Sequence, residues 1–135
     1  MKVVINACYG GFGLSVAGTE AYLARKGKAA YWFTTARDAD GRLDFKAPSV
    51  PVEHPGEEWF AQVYTSPERT TGTFFDDDDI PRDDPDLIAV VEELGVEANS
   101  RYASLKVVEI PDGTRWVIDE YDGYEHVAEE HQVWS

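Results

Sequence analysis

Three glycines within four residues make the segment 9–13, with the sequence YGGFG, the first candidate for chemistry. Glycine lets successive backbone N–H groups converge on one point, and the positive end of a following helix favours an anion, so a phosphate could bind there. The two aromatic rings could stack on a base. A tight turn without a ligand is the alternative, because the P-loop lysine and the dinucleotide fingerprint are both missing. The predicted ligand-binding residues are Asn6, Tyr9, Gly10, Gly11, Phe12, Gly13 and Ser15.

The single cysteine, Cys8, borders this glycine loop. A thiol close to a helix N-terminus is readily deprotonated and could act as a nucleophile, paired with His126 or His131. A buried and unreactive thiol at the end of a strand is the alternative interpretation.

Acidic and histidine side chains alternate in the C-terminal segment. If 125–134 is a strand, Glu125, Glu129 and His131 share one face and could perform acid–base chemistry or hold a metal ion of unknown type. Their spacing matches no standard zinc signature, and a solvated sheet face is the alternative. A helix can also be drawn through these residues, but the preceding Asp-Gly turn favours a strand.

The most biased segment is DDDDIPRDDPD at 76–86. Its carboxylates could bind a divalent cation, although the spacing of an EF-hand is missing, or they could imitate DNA phosphates towards a partner protein. A solvated charge run is the alternative. Arg82 is expected to be an internal ion-pair partner rather than a phosphate ligand. The predicted acidic partner surface comprises Asp76, Asp77, Asp78, Asp79 and Asp83.

Local signals indicate the elements that would position these residues. The β-branched run 3–5 predicts a buried strand before the glycine loop, and Ser15 is the predicted N-cap of a helix over 17–26. Asp84-Pro85 predicts the start of a second helix, which Gly95 ends. Further strands are predicted at 30–35, 59–65, 105–110 and 116–121, the last followed by an Asp122-Gly123 hairpin turn.

Together these elements predict an α+β fold with a mostly antiparallel sheet, two helices and a C-terminal β-meander. We expect a single domain over 1–135, in which the segment 36–83 is irregular and partly mobile. This segment is rich in proline and acidic residues.

Composition restricts the class of protein further. The 135 residues are 43% hydrophobic, which is enough for one core. Twelve basic and 26 acidic residues give a net charge of −14, which disfavours direct binding to nucleic acid or to an anionic membrane. One cysteine excludes an internal disulfide and a multi-cysteine zinc site. Because a long apolar run and a signal peptide are both missing, a cytoplasmic protein is expected.

Three segments resemble a group of small proteins of tailed bacteriophages that usually carry no assigned function. They are VVINACYGGFGLS at 3–15, DPDLIAVVEELG at 84–95 and LKVVEIPDGTRWVIDEYDGYEHVAEEHQVW at 105–134. The family pattern has an acidic or helix-forming residue soon after the loop serine, where this chain has Val16-Ala17-Gly18. The resemblance implies a phage origin and the cytoplasm of a bacterial host. It implies no catalytic mechanism.

Three functions follow as hypotheses. The preferred one is a non-enzymatic phage accessory protein that binds a small anionic ligand in the glycine loop, for instance a nucleotide signal of host immunity, without a cofactor. Its pocket could close at an interface between identical subunits, as in a homo-oligomer. The second is an acidic inhibitor of a host enzyme, of the DNA-mimic type. The third is a small hydrolase that uses Cys8 or the C-terminal cluster, which we favour less.

Overall fold

A computed structural model describes residues 1–53, 55, 61–68 and 74–130 of the chain. The chain forms two compact units: unit 1 comprises Met1–Tyr22 and Asp77–Ser135, and unit 2 comprises Leu23–Asp76. Two α-helices and several antiparallel strand pairs make the fold α+β, which confirms the predicted fold class.

The described part of unit 1 contains two separate antiparallel strand pairs. Strand β1 (Lys2–Asn6) pairs with β6 (Leu105–Glu109), and β7 (Trp116–Tyr121) pairs with β8 (Tyr124–Glu129). Strand β8 also packs beside β1. The sequence predicts a C-terminal β-meander. In the structure β6 pairs with β1, so the C-terminal antiparallel structure is the β7–β8 hairpin.

Helix α2 (Pro85–Leu94) begins and ends where the sequence predicts. The carboxylate of Asp84 accepts a hydrogen bond from the Asp86 N–H at 2.8 Å and so satisfies a donor that the helix leaves unpaired. Gly95, at a φ of +58°, ends the helix in a conformation that favours glycine, and a 3₁₀ turn over Gly95–Ala98 follows. The residues of α2 that reach the core are Leu87, Val90 and Val91.

Helix α1 (Val16–Arg25) follows Ser15, whose hydroxyl oxygen accepts a hydrogen bond from the Gly18 N–H at 3.0 Å. The same hydroxyl donates to the Glu97 carbonyl, and the Ser15 N–H donates to the Ala98 carbonyl. Ser15 therefore caps the helix and also holds its start against the 3₁₀ turn. The predicted N-cap is confirmed.

The turn between β7 and β8 consists of Asp122 and Gly123, with φ of 50° and 86°. Positive φ at both central residues is what a two-residue type I′ hairpin turn requires, so the predicted turn is confirmed. The strand alternative holds for 124–129, and residues 131–134 of the predicted strand lie outside the described residues.

Unit 2 contains a four-stranded antiparallel sheet in the order β3-β2-β4-β5. The strands are β2 (Tyr31–Thr34), β3 (Val50–Val52), β4 (Gln62–Tyr64) and β5 (Phe74–Phe75). The described residues of the segment 36–83 therefore contribute three short strands to this sheet. Pro51 lies on β3 at the edge of this sheet, where proline is tolerated because it has no N–H to donate to a second neighbouring strand. Residues 59–60 of the predicted strand 59–65 lie outside the described residues.

The core of unit 1 forms around β1, where Val3 and Val4 have no exposed surface. The α-ammonium group of Met1, which precedes this strand, donates a hydrogen bond to the Asp112 carboxylate at 2.5 Å. That contact holds the pKa of the Asp112 carboxyl below its usual value. Among the described residues of unit 1, the other buried apolar residues are Ile5, Leu14, Tyr22, Ile80, Leu87, Val90, Val91 and Ala98.

Candidate functional site

A buried ion pair joins Arg82 and Glu125 inside unit 1. Two guanidinium nitrogen atoms of Arg82 donate to the two carboxylate oxygens of Glu125 at 2.5 and 2.9 Å. The same carboxylate accepts the Asn6 N–H at 2.7 Å, and Glu125 is only 6% exposed. The prediction that Arg82 is an internal ion-pair partner is confirmed. Glu125 therefore serves as an anchor between β8 and β1, and its carboxylate is engaged on both oxygens.

Phe12 of the glycine loop covers this ion pair. The Arg82 guanidinium carbon lies 3.7 Å from the centroid of the Phe12 ring, which is the geometry of a cation–π contact. One of the two rings that could have stacked on a ligand is thus engaged by the chain's own arginine.

Asn6 uses its whole side-chain amide within unit 1. The Nδ2 atom donates to the Cys8 carbonyl at 3.0 Å and to the Gly123 carbonyl at 2.8 Å. The Oδ1 atom accepts the Ser104 N–H at 2.8 Å. Asn6 has no exposed surface, and it links Cys8, the residue before the glycine loop, to the β7–β8 turn and to the segment before β6.

The glycines of the loop differ in their surroundings. A Cβ atom on Gly10 would lie 2.0 Å from the Tyr102 carbonyl oxygen, and one on Gly13 would lie 2.7 Å from Ser100 Oγ. A Cβ on Gly11 would meet nothing within 4 Å, although the Gly11 N–H donates to the Tyr102 carbonyl at 3.2 Å. Two of the three glycines therefore permit close approach of the chain to itself.

A carboxylate of the chain already accepts the backbone N–H that directly follows the glycine loop. Oδ2 of Asp77 accepts the Leu14 N–H at 2.9 Å, immediately after the glycine loop and before α1. The positive end of a helix favours such a negative group. Asp77 is 63 residues away in the chain, and no local signal in the sequence identifies it as this partner.

Cys8 is half-buried beside the loop. Its Sγ atom lies 3.4 Å from Asn6 Oδ1 and 3.4 Å from the Tyr102 carbonyl oxygen. His126 lies on the exposed face of β8, where its ring centroid is 5.1 Å from that of Tyr124. His131, the other predicted partner of this thiol, lies outside the described residues.

The predicted C-terminal cluster is divided by its environment. Glu125 and Glu129 lie on the same face of β8, four residues apart. Glu125 is buried against Arg82, whereas Glu129 is exposed near the end of the strand, opposite Trp116. His131, the third member of the predicted cluster, lies outside the described residues.

The predicted acidic partner surface is partly solvent-exposed. Asp78, Asp79 and Asp83 are exposed, whereas Asp76 and Asp77 are half-buried. The carboxylates of the consecutive residues 76–78 each have an oxygen within 4.8 Å of the others, so these three could together hold a cation. Exposed acidic groups also reach such spacing without an ion.

The negative charge of the chain is concentrated in unit 1. By sequence, unit 1 has 18 acidic and 5 basic residues, a net charge of −13, whereas unit 2 has 8 acidic and 7 basic residues, a net charge of −1. Among the described residues of unit 1, 14 acidic side chains and 4 basic side chains are exposed. Unit 1 therefore presents a strongly negative surface.

Unit 2 contains an open groove of about 440 Å³. Its wall is mainly apolar and includes aromatic and proline side chains, with one acidic residue. The lining residues are Ala30, Tyr31, Trp32, Phe33, Pro51, Val52, Glu53 and Pro67. None of the predicted site residues lines this groove.

Comparison with protein-family models, curated proteins and solved structures finds no match for this chain. Within the described residues, neither α-helix has the length and apolar character needed to span a lipid bilayer.

Proposed function

We propose that this protein is a non-enzymatic binding module whose acidic unit 1 docks on a positively charged surface of another protein. The concentration of charge in unit 1, −13 of the total −14, is the observation that carries this proposal. Such a surface attracts a basic partner over about 8–10 Å at physiological ionic strength and accelerates association.

Two contacts, one of the glycine loop and one of the residue that follows it, favour this function over binding of a small anion. The Asp77 carboxylate accepts the Leu14 N–H, and the Tyr102 carbonyl accepts the Gly11 N–H. An incoming phosphate would have to displace a covalently tethered carboxylate and overcome the repulsion of the surrounding negative charge.

The exposed acids Asp78, Asp79 and Asp83 are suited to DNA mimicry. Closely spaced carboxylates can occupy the phosphate-binding positions of an enzyme that normally holds nucleic acid. With the phage origin that the resemblance implies, the partner would be a host protein in the bacterial cytoplasm, and the role would be counter-defence.

A pair of charge-matched variants tests this proposal. In the first, Asp78, Asp79 and Asp83 become Asn; in the second, the exposed unit 2 residues Asp40, Glu53 and Glu68 become Asn, Gln and Gln. Both variants have a net charge of −11, so they differ only in where charge is lost.

Each variant and the unchanged protein would be immobilised and exposed to a bacterial lysate at low salt. We expect one basic protein to be captured reproducibly by the unchanged protein and the unit 2 variant, and to be lost with the unit 1 variant. Equal capture by all three proteins would reject the proposed role of unit 1, as would the lack of any reproducible partner.

Binding of a nucleotide-type ligand at the glycine loop is the second candidate function. The open space beside Gly11 and the 69% exposure of the Tyr9 side chain favour it. Thermal-shift measurements with nucleotides, cyclic dinucleotides and ADP-ribose derivatives test it. A ligand in the loop should stabilise Asp77→Asn more than the unchanged protein and should not stabilise Gly11→Arg. If no ligand raises the melting temperature of any of these proteins, this candidate fails.

A further inference from the structure

The outer face of the β7–β8 hairpin combines tyrosine side chains with one aspartate and one histidine. Tyr121 lies opposite Tyr124, and Asp119 lies opposite His126. Cross-strand partners project to the same face of a sheet, so these four side chains share one surface. Tyr9 of the glycine loop joins them, because its ring centroid lies 5.3 Å from that of Tyr124. We call these five residues the tyrosine face.

The two faces of the hairpin have different roles. The opposite face of β8 contains Glu125, which is buried against Arg82 and β1. On the tyrosine face, Tyr121 is 77% exposed and Tyr9 is 69% exposed. Large aromatic side chains with this exposure lie mostly outside the core, and they are typical of surfaces that bind another molecule.

We infer that the tyrosine face binds arginine side chains of the partner, an inference that rests on the proposed docking function of unit 1. A guanidinium group stacks on the face of a tyrosine ring, where the negative π surface attracts its charge. Asp119 on the same face offers a carboxylate to the same cation. The net charge of −13 on unit 1 also attracts the positively charged arginine.

Arginine fits this surface better than lysine does. Its guanidinium is planar and weakly hydrated, so it can stack on a ring and still donate hydrogen bonds in its plane. Tyrosine in turn offers a large contact area at a low cost in side-chain entropy, because its side chain has few rotatable bonds.

Within the described residues, the chain itself makes the same kind of contact. Arg82 lies 3.7 Å from the Phe12 ring centroid, and Arg101 lies 5.5 Å from that of Tyr102. The second pair is on the surface, where both residues are exposed. Arginine stacking on an aromatic ring of this protein is thus compatible with a solvated environment.

Two short peptides, one alternating arginine with glycine and the other alternating lysine with glycine, test the inference. Their dissociation constants would be measured by fluorescence anisotropy at low salt with the unchanged protein, Tyr121→Ala and Tyr9→Ala. Phe45→Ala is the matched control, since Phe45 is 71% exposed and belongs to unit 2. Circular dichroism would check that each variant is folded.

We expect the arginine peptide to bind more tightly than the lysine peptide. Tyr121→Ala and Tyr9→Ala should each weaken binding of the arginine peptide by about two- to fivefold, while Phe45→Ala leaves it unchanged. Equal affinity for both peptides, or arginine-peptide binding unaffected by either tyrosine substitution, would overturn the inference.

The failure of this inference can be distinguished from that of the proposed function. If the unit 1 charge variant binds both peptides more weakly while the tyrosine substitutions leave both affinities unchanged, the inference about the tyrosine face fails and the docking function of unit 1 is retained. If the unchanged protein binds neither peptide, both fail. Sedimentation velocity tests whether the tyrosine face instead binds a second copy of the chain. If the protein dimerises and Tyr121→Ala abolishes the dimer, the inference is overturned.

Discussion

The side chains of Arg82 and Glu125, 43 residues apart in the chain, form a two-point ion pair that joins four segments of unit 1. Glu125 belongs to β8 and accepts the Asn6 N–H of β1, while Arg82 lies under the Phe12 ring of the glycine loop. The aromatic loop and the hairpin are therefore held by one buried pair of charges, on the inner side of the hairpin that carries the tyrosine face.

Breaking this ion pair should destabilise unit 1 strongly. Arg82→Met leaves the Glu125 carboxylate buried without its partner, which typically costs about 3–5 kcal/mol. The double variant Arg82→Met/Glu125→Met should recover part of that loss, since no unpaired charge remains. Urea unfolding followed by circular dichroism measures the free energy of unfolding in each case.

The exposed pair of Lys2 and Glu92, with 3.1 Å between Nζ and Oε2, provides the control. Glu92→Gln should change the free energy of unfolding by less than about 1 kcal/mol, because exposed ion pairs contribute little. Similar losses for Arg82→Met and Glu92→Gln would contradict the structural role of the buried pair.

The neighbouring glycines of the loop give a second prediction. Gly10→Ala places a Cβ atom 2.0 Å from the Tyr102 carbonyl oxygen, so the backbone must shift, at a cost of about 1–3 kcal/mol. Gly11→Ala has open space and should be neutral or stabilise the protein by up to about 1 kcal/mol. Melting temperatures of the two variants, measured side by side, check this order. A lower melting temperature for Gly11→Ala than for Gly10→Ala would contradict the described packing.

Local signals were sufficient to predict several elements of the fold. Asp84-Pro85 and Gly95 determine the two ends of α2, and Asp122-Gly123 forms the turn of the β7–β8 hairpin. In each case the residues that determine the structure are neighbours in the chain. The sequence also predicts that Arg82 is an internal ion-pair partner, but the partner, Glu125, lies 43 residues away and outside the acidic run, so no local signal identifies it.

The site depends on contacts between distant segments, which local signals do not reveal. Asp77 reaches Leu14 across 63 residues, and Asn6 reaches the Gly123 carbonyl across 117 residues. A glycine that permits close packing and a glycine that cradles a phosphate look alike in sequence, since both need a missing Cβ atom. The pairing of β6 with β1 rather than with β7 is likewise a long-range choice.

The contacts of Asp84 with helices α1 and α2 give a third prediction. One carboxylate oxygen accepts the Asp86 N–H, and the other accepts the Tyr22 hydroxyl at 2.8 Å. Asp84→Ala removes both contacts and should lower the free energy of unfolding by about 1–2 kcal/mol or more, whereas Tyr22→Phe removes one and should cost about 0.5–1.5 kcal/mol. Urea titrations of the two variants measure these losses. A larger loss for Tyr22→Phe than for Asp84→Ala would contradict the role of Asp84 as the shared anchor.

The salt dependence of binding to the arginine peptide tests the docking function of unit 1 most directly. The dissociation constant would be measured over a series of salt concentrations for the unchanged protein and the two charge-matched variants. We expect Asp78→Asn/Asp79→Asn/Asp83→Asn to bind more weakly and with a shallower dependence on salt, because fewer exposed carboxylates attract the peptide. We expect the unit 2 variant Asp40→Asn/Glu53→Gln/Glu68→Gln to behave as the unchanged protein does. Identical salt dependence in both variants would show that net charge alone governs binding and would contradict a docking surface on unit 1.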